Sequence, residues 1–96
     1  MSRYVLTPKA KDDLSGIWDY TETTWGTRQA EIYVRLIERG INLIAADPRR
    51  GRPCDDIRPG YRRFSVGSHV VYFREGEGAI TVVRILHQRM DPERHL

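Results

Sequence analysis

Ala10, Leu14, Ile17, Trp18, Thr21 and Trp25 recur at intervals of three and four residues, a spacing that predicts a first helix with one buried stripe. Thr7-Pro8 supplies its start, with threonine as N-cap and proline at the first helical position, and Asp12 and Asp13 suit the positive end of the dipole. Gly26 ends this helix, and Thr27 is expected to cap a second that runs to about Ala46 and stops at Asp47-Pro48. On the second helix Ala30, Tyr33, Val34, Ile37, Ile41 and Ile44 fall on one line, whereas Ile32, Leu36 and Leu43 lie well off it. That apolar arc is wider than a helix packed on one surface needs. The second helix is therefore expected to be sandwiched, either by the sheet and the first helix alone or also by a partner protein.

After the polar, Gly-, Pro- and Arg-rich loop Arg49–Gly60 the period changes to two. Strands are predicted over Tyr61–Val66, His69–Arg74 and Ala79–His87, with a short edge strand at Arg3–Leu6. Gly67-Ser68 fits a two-residue hairpin loop with glycine first, and Glu75–Gly78 makes the second turn. One strand, two helices and three hairpin-joined strands predict an α+β fold: a two-helix hairpin packed on one face of a small antiparallel β-sheet, as a single domain over residues 1–96. In the expected register Arg63 opposes Tyr72, Arg74 opposes Ala79 and Tyr72 opposes Thr81. The helix side then holds Phe64, Val66, Val71, Phe73, Ile80, Val82 and Leu86, with Arg62, His69 and Arg84 at its margin. The bare side holds Tyr61, Arg63, Ser65, Val70, Tyr72, Arg74, Thr81, Val83, Ile85 and His87, with Arg89 in phase. A slip of one residue would reverse the last strand.

Composition sharpens this picture in three places. With 40% hydrophobic and 30% charged residues the chain reads as a soluble globular domain, and no apolar run approaches the roughly 20 residues that span a bilayer. The first residues lack an apolar core and gain acids by Asp12, so no signal peptide is expected. The lone Cys54, read as an incidental thiol in a polar loop, suits a reducing compartment, and a cytoplasmic protein is expected. Charge is divided unevenly: residues 1–47 carry six bases and seven acids, net −1, and residues 48–96 carry ten bases and six acids, net +4. All ten of those bases are arginine, the residue suited to planar, bidentate contact with carboxylate or phosphate.

TPKAKDDLSGIWDY at the first helix, PGYRRFSVGSHVVYFRE over the hairpin and VRILHQRMD at the end together resemble the ParE toxins of the ParE/RelE toxin–antitoxin superfamily, over essentially the whole chain. The resemblance implies a small toxin that inhibits DNA gyrase through its A subunit and is neutralised, in a hetero-oligomer, by a ParD-type antitoxin. Such antitoxins lay an amphipathic helix on the helical hairpin, and Ile32, Leu36, Arg39 and Leu43 are the positions expected to receive it. Arg63, Tyr72, Arg74, His87 and Arg89, with the tail Met90–Leu96, are expected to meet gyrase or the DNA it holds. No membrane partner and no cofactor are expected.

The alternative within the superfamily is a RelE-type ribonuclease that cuts ribosome-bound mRNA. That chemistry needs a base for the 2′-hydroxyl, an acid for the leaving oxygen and cations on the phosphate. His87 could serve as acid or base, and Arg63, Arg74 and Arg89 could hold phosphate. Against it, no lysine follows Lys11, whereas RelE-type relatives often place lysines in the loop and second strand. In a regular strand Arg84 and His87 face opposite sides. The candidates for a second proton-transfer group, Asp55, Asp56 and Tyr61, sit on or beside a loop whose path the sequence does not fix. No catalytic residue is therefore expected. His69, His87, His95 and Cys54 have no metal-ligand spacing, and His95, next to the last residue, is expected to be unstructured.

Overall fold

A computed structural model describes residues 3–96. The chain runs β1 (Tyr4–Leu6), α1 (Pro8–Trp25), α2 (Thr27–Ala46), a 3-10 turn (Pro48–Arg50), β2 (Arg52–Pro53), β3 (Tyr61–Val66), β4 (His69–Glu75), β5 (Ile80–His87) and a short α3 (Pro92–His95). The helical hairpin covers one face of a five-stranded sheet of order β1-β5-β4-β3-β2. The α+β architecture is the expected one, with differences at its edges. β1 joins β5 in parallel, so the sheet is mixed; β2 emerges from the loop to pair with β3; and the tail, His95 included, is ordered as α3.

Local chemistry sets the element ends. The Thr7 hydroxyl accepts the Ala10 N–H at 3.1 Å and donates to the Val83 carbonyl at 2.7 Å, so one side chain caps α1 and ties it to β5. Asp12 and Asp13 lie beyond the first turn of α1, where the dipole effect has faded, and Asp13 is committed to Arg84 and Ile85 of β5. At the α1–α2 junction Gly26, with φ of 97°, is the residue before α2. Thr27 is already helical, and its hydroxyl donates to Glu22 at 3.0 Å, so the expected threonine cap is absent. In the β3–β4 hairpin Gly67 has φ of 57°, the left-handed value that the first position of the turn requires.

The core lies between the hairpin and the sheet. Ile37, Ile41 and Ile44 of α2 and Ala10 and Ile17 of α1 meet Val66, Val71, Phe73, Ile80, Val82 and Ile85. Fully burying each large member is worth about 1.5–3 kcal/mol. Trp25, expected at the end of the buried stripe, is instead 69% exposed.

The register of β3 on β4 is the expected one, with Arg63 opposite Tyr72 and Val66 opposite His69. The β4–β5 register is not. Arg74 pairs with Thr81 and Phe73 with Val82, then a bulge intervenes and Tyr72 pairs with Arg84. Val83 is the extra residue, and the Thr7 hydroxyl takes up its carbonyl. Past the bulge the faces of β5 exchange. Ile85 joins the main core, Leu86 turns to the other side, and His87 lies opposite His69.

Candidate functional site

Three surfaces stand out, and the sheet face away from the helices is the first. Its centre is not bare. Tyr72 is 3% exposed and packs with Cys54 and Leu86 in a second small core, bordered by Ile57, Tyr61, Val70 and Leu96. The loop that covers it is fastened by Cys54 N–H to the Tyr61 carbonyl at 2.9 Å and by Gly60 N–H to Asp55 at 2.7 Å. Tyr72, expected as a contact anchor, is thus a packing residue, and burial raises its hydroxyl pKa while the adjacent Arg63 guanidinium opposes the shift. Cys54 is likewise buried rather than incidental to a polar loop, and burial pushes its thiol pKa up, away from reactivity.

Around that covered centre the cations remain outside. Arg63, Arg74 and Arg89 are all exposed, as expected, and none of them enters an ion pair among the described residues. Arg52, not singled out by the sequence, stands directly across from Arg63. Arg58 lies over the Tyr61 ring, 5.8 Å from its centroid.

The second surface is α2. Ile32 (51% exposed), Leu36 (42%) and Leu43 (46%) remain open, with exposed Arg39 between them. The sheet and α1 cover only the other stripe. The outer stripe of the wide apolar arc is therefore left uncovered within the chain.

The third surface was not foreseen. Tyr20, Thr21 and Trp25 of α1, Gln29 and Tyr33 of α2, and Ser68, His69 and His87 line a cavity of about 540 Å³ at the hairpin tip. The His69 and His87 rings meet edge to face at 5.3 Å. Tyr33 accepts the Ser68 N–H at 2.9 Å, and its hydroxyl is also hydrogen-bonded to His69 Nδ1 at 2.6 Å. Burial, reinforced by His87, pulls the His69 pKa below its ordinary value. His87 therefore sits on the helix side, against the expectation that placed it with Arg63, Arg74 and Arg89. Its Nδ1 accepts the Arg89 N–H at 3.1 Å. Asp13, which lines the adjoining cavity with both histidines, has both oxygens engaged by Arg84 at 2.7 and 2.8 Å, and one of them also accepts the Ile85 N–H at 2.9 Å. The Asp13 hydrogen bonds raise the Arg84 pKa, and Arg84 also donates to the His95 carbonyl at 3.0 Å. Neither histidine thus has this carboxylate free to orient it for proton transfer. No group of three His, Cys, Asp or Glu side chains among the described residues could hold a metal ion, and no helix is long and apolar enough to cross a membrane.

A family model described as the ParE toxin of type II toxin–antitoxin system, parDE, matches residues 4–92. The chain is 55% identical to Toxin ParE1 of Mycobacterium tuberculosis over 96 residues, covering 99% of this chain and 98% of the relative. It is 44% identical to Toxin ParE1 of Caulobacter vibrioides over 96 residues, covering 100% and 99%. To Toxin ParE of Escherichia coli it is 39% identical over 93 residues, covering 95% and 89%. Among solved structures, a chain described as the chromosomal ParDE TA system from P. aeruginosa is similar, with a TM-score of 0.79 and 25% identity over 91% of this chain and 96% of that one.

Proposed function

The chain belongs to the ParE toxins of type II toxin–antitoxin systems, and on that premise we propose that it inhibits DNA gyrase by occupancy in the cytoplasm and is neutralised by a ParD-type antitoxin. The observation that carries this reading is the division of the exposed surface into two parts of opposite character. The α2 stripe of Ile32, Leu36 and Leu43 with Arg39 offers an open apolar face on which an amphipathic antitoxin helix can lie. Arg63, Arg74 and Arg89 offer unpaired guanidiniums to the gyrase A subunit or to the DNA it holds.

Action by occupancy needs no acid–base pair, which agrees with the placement of His87 in a separate groove with His69 and with the commitment of Asp13 to Arg84. The solved ParDE relative supports the antitoxin assignment. The test is induced expression with two readouts, joined to a supercoiling assay on purified gyrase. DNA-damage signalling with intact mRNA, and inhibition abolished in Arg74→Ala/Arg89→Ala, is the expected result. Cleavage of mRNA at codons on ribosomes with supercoiling untouched would replace this reading by the RelE-type ribonuclease.

A further inference from the structure

Between α2 and β3 the chain is pinned by one glycine. Gly51 is buried against the Phe73 ring, with no room for a Cβ. Its N–H donates to the Pro48 carbonyl at 3.0 Å, and Arg62 donates to its own carbonyl at 2.8 Å. Pinning Gly51 inward leaves Arg50 and Arg52, on either side of it, exposed. Arg52 then lies directly opposite Arg63, and Arg50, Arg52, Arg63, Phe64 and Ser65 line a cavity of about 250 Å³.

Like charges set directly opposite on a sheet are destabilising, yet none of these three arginines has an acidic partner among the described residues. Two neighbours in the chain do: Arg49 pairs with Asp47 and Arg62 with Glu75. The cavity's own three arginines thus remain without an ion pair among the described residues, as do Arg74 and Arg89. Planar guanidiniums converging on one polar cavity match the oxygens of a phosphate. An acidic protein segment would also meet the charge, but protein interfaces lean on aromatic or apolar anchors. The large exposed apolar side chains, such as Leu36 and Trp25, lie elsewhere, and Phe64, the one aromatic in the cavity wall, is partly buried against the main core.

We propose that the Arg50–Arg52–Arg63 cavity binds backbone phosphates of nucleic acid, so that the toxin grips DNA itself rather than gyrase protein alone. The inference rests on the gyrase reading for its setting and narrows that reading's arginine face to one site. Ser65 adds a hydroxyl to the three guanidiniums, and Arg74 extends the charge diagonally, one strand further from Arg63. Phosphate binding of this kind carries no base specificity and weakens with salt.

The experiment is fluorescence anisotropy of the purified full chain with a duplex DNA and, separately, a single-stranded RNA of equal length, over a salt series. Duplex binding with a steep salt slope is expected. Arg52→Ala/Arg63→Ala should flatten that slope by about 1.8, at about 0.9 for each phosphate no longer neutralised. Arg52→Lys/Arg63→Lys should keep most of the slope, and Arg28→Ala, on α2, should leave it unchanged. Tighter binding of RNA than of duplex would retain the phosphate site but assign it to RNA, overturning the grip on DNA. No duplex binding at low salt, an unaltered slope in the double alanine variant, or displacement of duplex by polyglutamate at equal charge concentration would also overturn the proposal. A chain that binds duplex in this way but leaves supercoiling untouched would uphold the site and remove only the gyrase reading.

Discussion

The Asp13–Arg84 pair should dominate the response of this fold to a single substitution. Asp13→Ala strands a guanidinium whose side chain is 15% exposed and removes the acceptor of the Ile85 N–H on the edge of β5 beyond β1. Breaking one half of a buried pair costs about 3–5 kcal/mol, and an orphaned buried N–H about 1–3 kcal/mol. Arg84 keeps its bond to the His95 carbonyl and is close enough to solvent to relax, so a total near the lower limit, about 3 kcal/mol, is expected. A domain has only about 5–15 kcal/mol in hand. At about 4–8 °C per kcal/mol the loss lowers Tm by roughly 12–24 °C. Asp13→Asn retains an acceptor for Ile85 and should lose about half as much. Asp13→Leu combined with Arg84→Met, which removes both charges, should recover most of the loss. Urea unfolding followed by far-UV circular dichroism measures all three. A loss under about 1 kcal/mol for Asp13→Ala would mean that the pair behaves like a surface ion pair, and Asp13 would no longer count as the pin between α1 and β5.

Three further outcomes follow from the geometry. Leu36→Glu alters an exposed side chain and should shift stability by no more than about 0.5 kcal/mol. It should nonetheless weaken binding of the ParD-type partner at least about tenfold by calorimetry; an unchanged Kd would take the stripe out of that interface. Gly67→Ala must hold a φ of 57° and place its Cβ 2.8 Å from the Tyr33 hydroxyl, so it should cost clearly more than the roughly 1–2 kcal/mol of left-handed strain. Gly78→Ala, with φ of 71° in open space, should incur the strain alone, and equal losses would show that Tyr33 gives way freely. His69 has a native pKa below its ordinary 6.5, so the unfolded chain binds that proton first as pH falls. Stability should therefore decline below about pH 6.5 towards the depressed native value, and His69→Gln should flatten that part of the profile in denaturant midpoints; an equally steep profile would reject the assignment.

The sequence displayed the helices plainly because their signals are local: Thr7-Pro8 opens one and Asp47-Pro48 closes the other. The β3–β4 register was equally legible, since Gly67-Ser68 allows one tight turn. The β4–β5 register was not. Ile85 and Leu86 are adjacent and both apolar, so alternation reads equally well in either phase, and the bulge at Val83 carries no glycine to mark it. That single extra residue moved His87 from the arginine face to the helix side. Tyr72 was misplaced for another reason: its face is covered by Cys54, Ile57 and Leu96, from a loop and a tail whose paths are set by tertiary contacts. The exposed stripe on α2 was readable because Ile32, Leu36 and Leu43 fall off the main line of the helix.

The position of β5 between β1 and β4 has a consequence for how the toxin comes into being. β1 depends on β5 alone, having no other strand partner among the described residues, and Phe73 and Ile37 have no complete wall without Val82 and Ile85. A chain without β5 therefore has no finished sheet, no floor for its core and no seat for β1.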